Sequence, residues 1–109
     1  MVDPVVQRFE VWLVQLDPTK GSKIRKIRPC IIIFSNEMAT LKTAIIAPLM
    51  TKGFLYPMRI SCTFQKKKGL ILLDRIRTVD KLRLIRRIGV ISRNTQLKIV
   101  NCLQELFAL

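Results

Sequence analysis

Apolar residues fall into short runs separated by polar, glycine or proline breaks. Phe9–Leu16, rich in Val, Leu and Trp, predicts a first strand. Asp17-Pro18-Thr19-Lys20-Gly21-Ser22 ends it, because Pro and Gly so close together mark a loop. The loop continues through Lys23–Ile27, basic and without period. Cys30–Phe34 is dominated by β-branched residues and predicts a strand buried on both faces, with Pro29 at its first position, where a missing N–H is harmless. Thr43–Leu49 predicts another strand, and 51–57, with Gly53 and Pro57, a loop. In Met58–Phe64 the positions Met58, Ile60 and Cys62 alternate with Arg59, Ser61 and Thr63, the period of a half-exposed strand. Lys66-Lys67-Lys68-Gly69 reads as an exposed turn, and Leu70–Leu73, Ile76–Val79 and Ile85–Ile91 as short strands.

The period then changes. Ser92 is a good helix N-cap, and Leu97, Val100, Leu103 and Phe107 recur at spacings of three, three and four. They predict a packing face, laid on the strands or across a dimer interface. Several short strands followed by one helix imply a mainly β domain over residues 1–109, a small barrel or strongly curved sheet.

Composition sharpens this picture. Half of the 109 residues are hydrophobic but only 6% aromatic, so the core must be largely aliphatic. Twenty Lys and Arg against seven Asp and Glu give a formal charge of +13. Self-repulsion of that size is tolerable where a polyanion is the normal partner: RNA, DNA, an anionic membrane or an acidic protein would each serve, with a nucleic acid and an acidic protein favoured. Cys30, Cys62 and Cys102 form no CxxC pair and read as buried thiols in a reducing compartment. The start Met1-Val2-Asp3-Pro4 lacks the basic and apolar regions of a signal peptide, and no apolar run is long enough for a bilayer; a cytoplasmic protein with no membrane association is expected.

The sequence contains no histidine. That excludes histidine acid–base pairs and Ser-His-Asp or Cys-His triads. The acids Asp3, Glu10, Asp17, Glu37, Asp74, Asp80 and Glu105 are scattered, without the pairing that a two-metal nuclease requires. No cofactor motif is present. Arg, Lys, Ser, Thr, Tyr and backbone remain, and they suffice where the substrate carries its own nucleophile. In RNA the 2′-hydroxyl lies beside the scissile phosphate, and fixed guanidinium groups neutralise the phosphate oxygens bidentately.

The basic residues form three clusters: Lys20, Lys23, Arg25, Lys26 and Arg28; Lys66–Lys68; and Arg75, Arg77, Lys81, Arg83, Arg86 and Arg87. The first also holds Gly21 and Ser22, whose backbone N–H groups can approach a phosphate closely. It ends at Arg28, where the buried strand begins.

Taken together, Glu10-Val11-Trp12-Leu13-Val14-Gln15-Leu16-Asp17-Pro18-Thr19-Lys20-Gly21-Ser22 followed by Arg28-Pro29-Cys30 resembles the opening of MazF/PemK toxins. Ala47-Pro48-Leu49, Tyr56-Pro57 and the block from Asp74 to Leu84 continue the resemblance in order, from about Arg8 to Phe107. It implies an SH3-like barrel with a C-terminal helix, of the MazF/PemK/CcdB kind, as a homodimer. It implies metal-independent cleavage of single-stranded RNA through 2′-hydroxyl attack, leaving a 2′,3′-cyclic phosphate and a 5′-hydroxyl. It also implies an antitoxin whose acidic tail occupies the RNA groove.

The family's catalytic Arg falls on Arg28 and its catalytic hydroxyl position on Met50. Thr51, next in sequence, is expected to supply the hydroxyl, provided that the strand has ended before it. Lys20, Gly21, Ser22, Lys23, Arg25, Lys26, Lys52, Tyr56, Pro57 and Arg75 are the expected RNA-binding residues. Lys23 and Arg75 stand where the family often has Glu and Gln, and both add positive charge. Two other readings stay open: a non-catalytic relative that binds RNA or an antitoxin, and a gyrase-poisoning toxin on the related barrel.

Overall fold

The computed structural model describes residues 4–16 and 26–108. It contains β1 (Glu10–Leu16), β2 (Lys26–Ile32), β3 (Thr43–Met50), β4 (Arg59–Phe64), β5 (Lys67–Leu72), β6 (Arg77–Asp80), β7 (Leu84–Val90) and α1 (Arg93–Leu106). Short 3-10 turns occupy Asn36–Met38, Leu73–Arg75 and Lys81–Arg83. The strands form one seven-stranded sheet in the order β4-β5-β3-β2-β1-β7, with β6 paired to β3. All its pairings are antiparallel.

The sheet curls into a half-barrel, since the tip of the β4–β5 hairpin reaches β7. Gln65 Nε2 donates to the Ile88 carbonyl at 3.0 Å. The Phe64 ring fills the space beside Gly89, where a Cβ would come within 2.7 Å of Phe64 Cζ.

The core lies on both faces of β2 and β3. Trp12, Val14, Cys30, Ile32, Ala44 and Ile46 belong to one cluster; Val11, Ile31, Ile33, Ala47, Leu49 and Ile71 belong to the other, together with Ile99 and Cys102 of α1. Even and odd positions of a strand point to opposite faces, so burial on both produces the near-continuous apolar run Cys30–Phe34. Trp12 is a core residue, and its indole N–H donates to Glu10 Oε1 at 3.2 Å. Glu10 also pairs with Arg87 Nε at 2.6 Å, which ties β1 to β7.

Several sequence expectations are corrected. β2 starts at Lys26, before the expected Cys30, and Pro29 is its fourth residue. Pairing with β3 begins only at Cys30, so β2 has one hydrogen-bonded neighbour at Pro29 and the missing N–H is tolerated there. The turn of the β4–β5 hairpin is Gln65-Lys66, and Lys67–Gly69 lie in β5. Both turn residues have positive φ (49° and 65°), as a tight hairpin of right-handed twist requires. Arg59, expected on the polar face of its strand, is buried.

Helix α1 begins as expected, with Ser92 Oγ accepting from the Thr95 N–H at 3.3 Å. Its packing face is displaced from the expected one. Thr95, Ile99 and Cys102 are buried, whereas Leu97 is 49% and Phe107 70% exposed. Each helical residue turns by about 100°, so Leu97 points away from the stripe that holds Ile99. Val100 and Leu103 are half-buried at its border.

Candidate nucleic-acid site

Arg28 stands on β2 opposite Val14 of β1. Its side chain is exposed, whereas Cys30, next on the same face, is fully buried and its thiol points to the Arg28 carbonyl at 3.6 Å. A guanidinium is therefore mounted where the strand leaves the core. Burial pushes the Cys30 thiol up to about 12, although Arg77 opposes the shift, so the group beneath Arg28 is an inert apolar anchor. Lys26 is exposed one strand-period earlier, opposite Leu16. Lys20, Gly21, Ser22, Lys23 and Arg25 lie outside the described residues.

The β2–β3 register pairs Cys30 with Pro48, and continuing it by two residues sets Arg28 across from Met50. Met50 is the last residue of β3, paired with Leu70 of β5. Thr51 opens a bend, so the strand has ended where the hydroxyl begins. Thr51 lines a cleft of about 200 Å³ with Pro29, Leu49, Lys67, Lys68 and Ile88. The cleft lies on the Leu49 side of β3, whereas Arg28 and Met50 share the other face by strand alternation. The structure thus brings Thr51 next to Pro29 and to two lysines that had read only as a solvated turn.

A broader groove of about 690 Å³ runs from Thr51 and Gly53 past Ser61 and Thr63 to Lys68 and the first two turns of α1, where Asn94 and Lys98 line it. Hydroxyls, an amide and lysines dominate this wall. Sequence periodicity gave no sign of it, because residues far apart in the chain build it. Cys62 lines it too, half-buried, and desolvation raises its pKa.

Lys52, Tyr56 and Pro57 are exposed in the segment 51–57. Arg59 organises that segment. Its Nε and Nη2 donate to the two carboxylate oxygens of Asp74 at 3.1 and 3.3 Å, and Nη1 donates to the Phe54 carbonyl at 3.0 Å. Its guanidinium also lies 4.3 Å from the Tyr56 ring centroid. The hydrogen bonds from Arg59, with its charge, hold the Asp74 carboxyl below its usual range. Strand alternation concealed this role; an arginine three residues after a tyrosine was the available signal.

Arg75 is exposed beside Asp74. The third basic cluster is dispersed. Lys81 is buried, donates to the Ala39 carbonyl and lies over the Phe34 ring; Arg87 is engaged by Glu10; Arg86 is exposed. Among the described residues no three His, Cys, Asp or Glu side chains converge as metal ligands. Among the described residues no helix is long and apolar enough to cross a membrane.

Comparison with known proteins agrees with this architecture. The chain is 28% identical over 106 residues to the endoribonuclease MazF of Staphylococcus epidermidis, covering 91% of this chain and 88% of that one. It superposes with a TM-score of 0.81 on a MazE–MazF crystal structure from Deinococcus radiodurans, at 16% identity, covering 95% and 96% of the two chains. A mycobacterial endoribonuclease in complex with its cognate antitoxin superposes with a TM-score of 0.75 at 20% identity, covering 92% of each chain. These likenesses bear out the mainly β barrel with a C-terminal helix. Residues 7–107 match the model of the PemK-like, MazF-like toxins of type II toxin–antitoxin systems, and the chain belongs to that family.

Proposed function

We propose that this toxin is a metal-independent endoribonuclease that cleaves single-stranded RNA in the cytoplasm, with Arg28 as its principal catalytic residue. The observation that carries this reading is the mounting of Arg28, exposed at the point where β2 rises from a fully buried Cys30-Ile31-Ile32. The strand backbone fixes the point from which the guanidinium reaches a phosphate, and charge placed against developing negative charge is often the largest catalytic term.

In the proposed reaction the 2′-oxygen forms a bond to the adjacent phosphorus and the bond to the 5′-oxygen breaks. The 2′-hydroxyl proton leaves to solvent and the departing 5′-oxygen takes one up, giving a 2′,3′-cyclic phosphate and a 5′-hydroxyl. Arg28 neutralises the phosphate oxygens as charge builds on them. Thr51 is proposed to take the role denied to the thioether of Met50, orienting the 2′-hydroxyl or a proton-carrying water; because it lies beyond the end of β3, this role requires the bend at 51–53 to carry its hydroxyl from the Leu49 side to the face of Arg28. Lys26, Lys52, Tyr56, Pro57 and Arg75, with Lys20, Gly21, Ser22, Lys23 and Arg25, are proposed to bind the RNA backbone and bases.

The +13 charge supports a polyanionic substrate and an acidic antitoxin tail that competes for the same groove. The antitoxin-bound mycobacterial neighbour supports such a partner. The exposed Leu97 and Phe107 on α1 support a homodimer in which that face is covered.

Incubation of the purified chain with long single-stranded RNA in EDTA, beside Arg28→Ala and Thr51→Ala, tests the reading. Cleavage with cyclic-phosphate ends that Arg28→Ala lowers by about a hundredfold or more is expected. Absence of cleavage by folded wild-type protein over a broad set of RNAs would overturn it in favour of a binding-only relative.

A further inference from the structure

Residues 51–58 join β3 to β4 outside any strand pairing, yet their central part converges on one buried side chain. Three guanidinium nitrogens of Arg59 are engaged, two by Asp74 and one by the Phe54 carbonyl. Its backbone N–H donates to the Tyr56 carbonyl at 2.9 Å. Gly53 is drawn close as well: at φ 141° it holds a conformation that other residues rarely adopt, and a Cβ there would lie 3.4 Å from Arg59 Nη1. A buried charge with a paired carboxylate is costly to separate. The pair is therefore a fixed post around which 53–56 is wrapped.

The consequence falls on Tyr56. One face of its ring is covered by the guanidinium, while the residue remains 49% exposed. With the guanidinium against one face, the exposed part of the ring is held at a set angle. An aromatic face held in this way suits an unpaired base, which needs only a flat π-surface and little ordering on binding. Thr51 is five residues away, at most ~18 Å of extended chain.

We propose that Arg59 is a positioning residue that determines base preference: clamped by Asp74, it fixes the Tyr56 ring as a stacking platform for an unpaired RNA base near the scissile phosphate. This rests on the ribonuclease reading above. Arg59 acts through Tyr56 and does not touch the reacting atoms. A lysine at position 59 keeps the charge but loses the planar fork and the stacking, so it does not substitute.

Tyr56 is the sole tyrosine of the chain, so fluorotyrosine labelling reports on this ring alone. The full chain is titrated with single-stranded RNA whose 2′-hydroxyls are methylated, and the 19F resonance is followed for wild type, Arg59→Lys and Asp74→Asn. Unmodified RNA is cut in parallel by these proteins and by Tyr56→Ala and Tyr56→Phe, and the cut sites are mapped. RNA is expected to shift the wild-type resonance. Arg59→Lys and Asp74→Asn move the free resonance towards that of unbound fluorotyrosine and spread cleavage over more sequences. Tyr56→Ala leaves the Arg59–Asp74 pair in place and weakens RNA binding by about 5- to 100-fold, in KM rather than kcat; Tyr56→Phe restores most of that loss.

A wild type that neither binds nor cuts RNA removes the ribonuclease reading and this inference with it. A wild type that cuts RNA while its 19F resonance ignores the RNA, or whose cut-site pattern survives both Arg59→Lys and Tyr56→Ala, overturns this inference alone.

Discussion

Closure of the half-barrel depends on a missing side chain at Gly89. A Cβ there would meet Phe64 Cζ at 2.7 Å and Cε1 at 2.9 Å, both inside any tolerable contact. The clashing atoms are the far edge of a rigid ring that packs against the core cluster holding Val11, Ile31 and Ile71. Gly89→Ala must therefore tilt the ring off its rotamer or push it towards solvent. Overpacking of this kind costs about 1–3 kcal/mol, or roughly 4–15 °C in Tm for a domain of this size. Phe64→Leu removes the clashing atoms and itself costs about 1 kcal/mol or more as a large-to-small change. In that background Gly89→Ala should be neutral or slightly stabilising, since alanine loses less chain entropy than glycine in a strand. Urea unfolding of the four proteins gives the coupling directly, with at least ~1 kcal/mol expected. If Gly89→Ala is equally harmful with Leu at position 64, or harmless in the wild type, the ring is not what excludes the Cβ.

Two further outcomes follow from the titratable groups. Native labelling with a thiol reagent near pH 8 should modify Cys62, which is half-buried, and leave Cys30 and Cys102 until denaturant is added, because both are buried; burial raises the pKa of all three thiols, so accessibility decides the order; fast labelling of Cys30 would contradict its place in the core. The folded pKa of Asp74 lies below its unfolded value near ~3.9, so its pairing with Arg59 stabilises fully above that value and is lost as pH falls through the folded one. The stability difference between wild type and Asp74→Asn should thus be constant from about pH 7 to 5 and shrink below about pH 4 in thermal melts; a difference unchanged down to about pH 2 would refute it.

Much of this architecture was legible in the chain because burial imposes short-range patterns. The run Cys30–Phe34 announced a strand covered on both sides, and Ser92 announced the start of α1. The strand ends were harder. Lys26 and Ile27 carry no apolar period because at that end β2 pairs only with β1, so side-chain burial did not mark them. The packing face of α1 was misread because Leu97 and Phe107 supply helical spacing, while two of the three residues buried as the helix packs on the sheet, Thr95 and Cys102, are less apolar than the third, Ile99. Arg28 and Thr51 are candidates that neighbouring residues in the sequence single out, and the structure places them on different faces of β3 and its partner strand. The Arg59–Asp74–Tyr56 cluster could not be singled out in that way, since it joins residues up to eighteen positions apart and depends on an ion pair. Nor does any local pattern join Lys68 of a hairpin to Lys98 of a helix across one groove.

The burial of β2 and β3 on both faces also bears on how this protein can change over evolutionary time. Cys30, Ile31, Ile32, Ala44, Ile46 and Ala47 all have 0% exposure. A mutation at any of them disturbs one core or the other, and Ile45, between Ala44 and Ile46, is itself partly buried against both. Change is tolerated more readily at exposed positions of the connecting segments, such as Lys52 and Leu55, whose side chains can be exchanged without repacking the interior. A chain built this way can change its exposed surface while the backbone beneath keeps its shape, so tolerance and constraint fall on different stretches of the same short sequence.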